Sequence, residues 1–165
     1  MIMKNRQVHV GFVSKVNSVT NHDGLFVMMV RKMGFIPFVR SNVPQGCKTM
    51  ETNNNIFGYC KNPWNKERSC GGSSGGESGM VASYSAPIGF GSDIGGSLRV
   101  PAAFTGLITM KPYNRYSRMG NCYYGKFTGG LPIKSELGPI TRTVEDLILV
   151  NNFLFNPDNY KDIPL

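Results

Sequence analysis

The sequence lacks any apolar run of the roughly 18 residues needed to cross a bilayer as a helix, so no transmembrane helix is expected in it. Met1–Gly11 is polar and basic and does not resemble a signal peptide, so none is expected there. Histidine is scarce. His9 and His22 lie far upstream of every other chemical signal, without a carboxylate pattern, and read as surface histidines. That leaves a Ser-His-Asp triad weakly supported. The cysteines are Cys47, Cys60, Cys70 and Cys122, and no two have C-x-x-C spacing, which speaks against a zinc site. Cys60 and Cys70 are spaced for a disulfide or a metal pair, but reduced thiols in an intracellular protein fit better. The localisation expected is therefore intracellular, with cytoplasmic and membrane-associated both left open. Acid is missing altogether from Ile94 to Ser135, a stretch that holds Arg99, Lys111, Arg115, Arg118, Lys126 and Lys134. Tyr113, Tyr116, Tyr123, Tyr124 and Phe127 lie among these bases. Bases with aromatics can hold single strands, but nothing resembling a nucleic-acid module accompanies them. A solvated basic surface explains the net charge of +8, and no nucleic-acid partner is expected.

Glycine is abundant and unevenly placed. Nine glycines and seven serines fall between Gly71 and Ser97, the main compositional signal. With 165 residues the chain is long enough for about one domain, and it shows neither repeats nor a linker.

The elements alternate. Gly24–Met33 reads as a short helix closed by Gly34, and Phe35–Arg40 as a strand whose Pro37 suggests an edge or bend. Asn53–Cys70 is turn-rich, with Asn62-Pro63 as a turn initiator. Glu77–Ser85 is expected to be a helix, Ile88–Phe90 a strand, Gly91–Gly96 a tight loop, Val100–Phe104 a helical turn and Leu107–Met110 a strand. Arg115–Ile133 is irregular, in the manner of a hairpin. The clearest helix is Val144–Leu154: Thr143 suits its N-cap, Glu145 and Asp146 its first turn, and Pro157 lies past its end. The class is α/β, a mixed sheet flanked by helices.

Two clusters carry chemistry. Gly71-Gly72-Ser73-Ser74-Gly75-Gly76 permits close backbone approach to a ligand. It lacks a G-K-[ST] ending, so it is no P-loop. It matches G-x-S-x-G only formally, since a nucleophile elbow needs a preceding strand and Asn62–Cys70 is none. Gly91-Ser92-Asp93-Ile94-Gly95-Gly96-Ser97 follows a strand-like segment, and adjacent N–H groups in such a turn can converge as an oxyanion hole requires. A tight structural turn explains either cluster alone. A serine nucleophile also needs a base, and with a histidine base poorly supported a lysine relay remains.

Together the clusters resemble the amidase signature family. The matching text runs from Asn62-Pro63-Trp64 through Gly71–Glu77 to Gly95-Gly96-Ser97-Leu98-Arg99-Val100-Pro101-Ala102-Ala103-Phe104 and Lys111-Pro112, and Ser73 and Ser97 have the family separation of 24 residues. Within the family the chain looks most like the fatty-acid amide hydrolases, through Phe38–Gln45, Glu77, Asn114-Arg115 and Leu137-Gly138-Pro139-Ile140. The resemblance implies a Ser-Ser-Lys unit without metal or organic cofactor. Ser97 matches the nucleophile, and Ser73 the bridging serine, which in the family follows a cis peptide bond. Ile94, Gly95, Gly96 and the Ser97 N–H match the oxyanion hole; Ser74, Asp93 and Arg99 match supporting positions. The family lysine falls near or before Met1, and neither Lys4 nor Lys15 resembles its segment. Residues 1–165 are thus expected to be a fragment of a single amidase domain, missing the lysine segment and the C-terminal part. Cys70 stands where the family usually has proline. The expected substrate is a small-molecule amide, with a lipid acyl chain, and the fragment is expected to be inactive alone. The alternatives are a general amidase, an amidotransferase subunit, or a non-catalytic amidase-like remnant or binding module. Membrane association and a homodimer are left open by the resemblance.

Overall fold

The computed structural model describes residues 1–112 and 135–160. The expected hairpin at Arg115–Ile133, most of the basic aromatic stretch, Asn114-Arg115 and Cys122 lie outside the described residues.

The first helix, α1 (Leu25–Lys32), forms because Phe26, Met29 and Val30 recur at helical spacing and bury one face. Arg31 and Lys32 close it, where basic side chains suit the helix dipole. The sequence after α1 is predicted to be a strand, but Phe35–Arg40 joins no ladder among the described residues. It runs extended with Ile36 and Phe38 largely exposed, and the Arg40 guanidinium donates to the Gln7 carbonyl. β-type residues give a strand only where a neighbour offers hydrogen bonds.

Within the turn-rich segment, β1 (Asn53–Asn54) and β2 (Gly58–Tyr59) form a minimal antiparallel hairpin. Then follow α2 (Gly75–Ala82), β3 (Gly89–Asp93), α3 (Arg99–Thr105), β4 (Ile108–Thr109), β5 (Glu136–Thr141) and α4 (Val144–Leu154). Helix α2 starts two residues earlier than predicted, because Gly75 and Gly76 belong to its first turn. Strand β3 continues to Asp93, so residues 91–93 are strand rather than loop.

The second sheet has the order β3-β5-β4, and both pairings are antiparallel. Its central strand is β5, whose Leu137-Gly138-Pro139-Ile140 lacks any alternating pattern. A proline is expected on an edge. Here β4 is short and its ladder ends at the Thr109–Ile140 pair, so Pro139 faces no β4 residue. Thr109 Oγ1 donates to the Pro139 carbonyl at 2.6 Å.

Helix α4 has the predicted bounds. Thr143 Oγ1 accepts the Asp146 N–H at 3.1 Å, the N-cap the sequence called for. Val150 and Leu154 of α4 meet Phe26, Met29 and Val30 of α1 and Leu137 of β5 in the core. Phe26 and Phe35 both set their edges to Phe90 of β3, at 5.3 and 5.6 Å between centroids. Arg142, leaving β5, donates to the carbonyls of Val81 and Ala86 at 2.9 Å each and so closes the C-terminal end of α2. No helix among the described residues is long and apolar enough to cross a membrane.

Candidate active site

The two glycine–serine clusters, whose Ser73 and Ser97 are 24 residues apart in sequence, join in space. The Ser74 N–H donates to the Ser97 carbonyl at 3.2 Å. Ser74 Oγ reaches the other way, to the N–H of Ser92 at 3.3 Å and its carbonyl at 3.4 Å, and ties the first loop to β3.

Gly71 and Gly72 have φ of +80° and +58°, a region that side chains disfavour. Space requires glycine there as well. A Cβ on Gly71 would lie 2.7 Å from the Phe104 ring, and one on Gly72 would lie 2.7 Å from Pro101 Cδ and 3.4 Å from Ser97 Cα. Helix α3 therefore sits directly on the first loop. The turn at Asn62–Trp64 anchors the other end of α3. Asn62 Nδ2 donates to the Phe104 carbonyl at 2.9 Å and Trp64 Nε1 to the Thr105 carbonyl at 2.8 Å, so two of the orphan carbonyls of α3 are satisfied.

The described residues contain no cis peptide bond, which corrects the expectation for the bond before Ser73. Other groups fix this loop. Fully buried Thr52 donates Oγ1 to the carbonyls of Gly72 (2.8 Å) and Gly71 (3.1 Å), and the Gly72 N–H donates to the Met50 carbonyl at 2.7 Å. Thr52 and Met50 escaped the sequence reading, because they lie about twenty residues upstream with no pattern linking them to the glycines.

The second loop is organised by Asp93. Its carboxylate is fully buried. Oδ1 accepts the Gly96 N–H at 2.7 Å, and Oδ2 accepts the N–H groups of Leu98 and Arg99 at 3.1 and 3.3 Å. The Arg99 guanidinium adds a two-point contact at 3.0 Å on each oxygen. Burial pushes the Asp93 carboxyl up, but the Arg99 guanidinium and the three N–H groups outweigh it and hold the pKa at about 2. The supporting positions expected at Asp93 and Arg99 are thus one bracket. Lys111, which the sequence shows only as one of the bases after Ile94 and as part of Lys111-Pro112, belongs to it too. Its Nζ donates to the Ile94 carbonyl at 2.6 Å and lies 3.7 Å from Asp93 Oδ1.

Ile94 and Gly95 are exposed, Gly96 is buried, and Ser97 is partly buried at the start of α3. The Gly96 N–H is directed at Asp93, so it braces the loop instead of facing outward. Ser73 and Ser74 are buried. Glu77 accepts the Ser41 hydroxyl at 2.7 Å; burial pushes its carboxyl above the ordinary range, and Ser41 partly offsets this. A cavity of about 770 Å³ is lined by Ser73, Ser74 and Glu77 together with Phe26, Phe35 and Phe90; Ser97 does not line it.

His9 is half-buried rather than a surface residue. Its Nδ1 accepts the Gly11 N–H at 3.0 Å, and burial, with Arg40, lowers its pKa. His22 is exposed. Lys4 and Lys15 are exposed, and the ammonium of Lys15 rests over the Phe12 ring. Among the described residues no group of three or more His, Cys, Asp or Glu is arranged to hold a metal ion.

A family model described as Amidase matches residues 2–164. The chain is 40% identical to an acetamidase of Emericella nidulans over 162 residues, which is 96% of this chain and 29% of that protein. It is 39% identical to fatty-acid amide hydrolase 1 of Sus scrofa over 140 residues, 84% of this chain and 24% of that one. Among solved structures, a fatty acid amide hydrolase superposes with a TM-score of 0.88 at 32% identity, covering 99% of this chain and 29% of the other. A glutamyl-tRNA(Gln) amidotransferase subunit from Thermotoga maritima superposes with a TM-score of 0.79 at 27% identity over 92% of this chain and 32% of the other. The chain thus spans less than a third of the length of these relatives.

Proposed function

The chain belongs to the amidase family, and from that premise we propose that it supplies the serine machinery of a carboxylic-amide hydrolase. Ser97 is the nucleophile. Its Oγ attacks the amide carbonyl while its proton passes through Ser73 to a lysine base. The N–H groups of Ile94, Gly95 and Ser97 receive the developing oxyanion. The same relay returns a proton to the leaving amine, and water then releases the acid.

One observation carries this reading. The Ser74 N–H on the Ser97 carbonyl fastens the Ser73 loop to the Ser97 loop. A turn made for structure alone would not need both loops to converge at the serines.

The substrate class follows the same resemblance. Fatty-acid amides are the leading assignment, supported by the likeness to fatty acid amide hydrolases in sequence and in structure. A short-chain or general amidase is the second reading, favoured by the 40% identity to the acetamidase. The lysine is not expected among these 165 residues, so the chain alone should retain only residual activity. Losing one member of such a unit typically costs several orders of magnitude.

The test is a substrate panel of oleamide, acetamide and glutamine, given to the longest natural form of the protein and to its Ser97→Ala variant. Oleamide turnover that collapses about a thousandfold or more in the variant is expected. Preference for acetamide would move the assignment to the second reading. Unchanged turnover in Ser97→Ala would reject the nucleophile.

A further inference from the structure

The turn that anchors α3 is closed at its base by two cysteines. The chain leaves β2 through Cys60, turns at residues 62–68 and returns through Cys70, directly before Gly71. Lys61 and Ser69 form an antiparallel bridge, so Cys60 and Cys70 are the adjacent pair in the same register. The Cys70 N–H donates to the Cys60 carbonyl at 3.3 Å, and the two sulfurs are 3.8 Å apart. Directly opposed antiparallel residues have Cα separations of about 4.5–5.5 Å, inside the range a disulfide accepts.

Both sulfurs lie against α2. A Cβ on Gly79 would be 3.0 Å from Cys70 Sγ and 3.7 Å from Cys60 Sγ, and Cys60 Sγ is 3.8 Å from the Gly75 carbonyl. Cys70 is fully buried and donates its S–H to the Lys61 carbonyl at 3.2 Å. Cys60 is half-buried. Both are free thiols.

We propose that Cys60 and Cys70 are an oxidisable dithiol that closes to a disulfide and fastens the approach to the Gly71–Gly76 loop. The residues are unequal, as such chemistry requires. The hydrogen bond to Cys70 lowers the Cys60 pKa against the effect of burial, while Cys70 is pushed up by the same bond and by burial. Cys60, partly exposed where Cys70 is fully buried, therefore reacts first. Its thiolate attacks hydrogen peroxide, the O–O bond breaks, and Cys60 sulfenic acid and hydroxide form. The Cys70 sulfur then attacks the sulfenic sulfur, the S–O bond breaks, and water leaves with the Cys70 proton. Two thiols are oxidised and one peroxide is reduced to two waters. The sulfurs must close from 3.8 Å to about 2.0 Å. The link is independent of the reading as a hydrolase, since it rests on the ladder and on the surroundings of the two sulfurs.

The test treats the native protein with a small excess of hydrogen peroxide, alkylates the remaining thiols and maps the digest by mass. The expected product is a Cys60–Cys70 cross-link, lighter by two hydrogens and reversed by dithiothreitol. It should be absent in Cys60→Ser and intact in Cys47→Ser. Amide hydrogen exchange at 71–76 is expected to slow about tenfold in the oxidised protein, a shift that wild type reports without any variant. Alkylation of both cysteines after peroxide, their overoxidation without a link, or pairing with Cys47 or Cys122 instead, would each overturn the proposal.

Discussion

Asp93 shows how one side chain can set a loop. Four groups of the backbone and of Arg99 converge on it, and its carboxyl is held at about 2. A folded-state pKa below the unfolded value contributes stability that is present above the unfolded pKa and lost as pH falls through the folded one. The window is therefore about pH 4 down to pH 2, and the size is on the order of 2 kcal/mol. Acid unfolding followed by circular dichroism should show this loss, and Asp93→Asn should remove it. Asp93→Ala would leave the N–H groups of Gly96, Leu98 and Arg99 without an acceptor. It should cost about 3 kcal/mol or more in urea unfolding, where a loss below about 1 kcal/mol would reject the bracket. Glu77 titrates with the opposite sign: burial raises it, so its ionised form costs stability at neutral pH and protonation relieves that cost as pH falls.

Helix α2 shows how an element is decided by what it touches. By intrinsic propensity, Gly76→Ala inside a helix gains about 1 kcal/mol. Here the added methyl would run into the backbone N and O of Asn42. Forcing a methyl against immobile backbone costs about 1–3 kcal/mol, so the contact wins and the variant should melt lower than wild type by calorimetry. Helix α4 is the contrast. Its N-cap is local, and Thr143→Ala should cost about 1 kcal/mol by loss of the Asp146 bond alone. A gain in stability for either variant would contradict the corresponding contact.

At the scale of the molecule, apolar surface is left uncovered. Ile148, Leu149 and Phe153 on the outer face of α4 are about half exposed, at 54%, 56% and 44%, and Ile36 is 84% exposed. Apolar side chains exposed to this degree on one helix favour contact with another molecule. The isolated 165-residue chain is therefore expected to associate as its concentration rises, in sedimentation velocity, despite its charge of +8. A monomer that unfolds cooperatively at all concentrations would contradict this.

The sequence by itself determined the family, the two serine loops and the elements with local signals. Helix α4 is the clearest case, because its cap, acidic first turn and apolar spacing all lie within a dozen residues. The glycines at 71 and 72 announced a close approach, though not to what. Only the tertiary structure decided that α3 sits on them, that Thr52 holds their carbonyls, that Lys111 joins Asp93, and that Cys60 faces Cys70. It also decided that Pro139 lies in a central strand, while the β-type residues of Phe35–Arg40 join no ladder. The physical reason is the same in each case. These outcomes depend on which distant segment offers the matching donor, acceptor or space, and local pattern encodes how a segment can bend but not what returns to meet it.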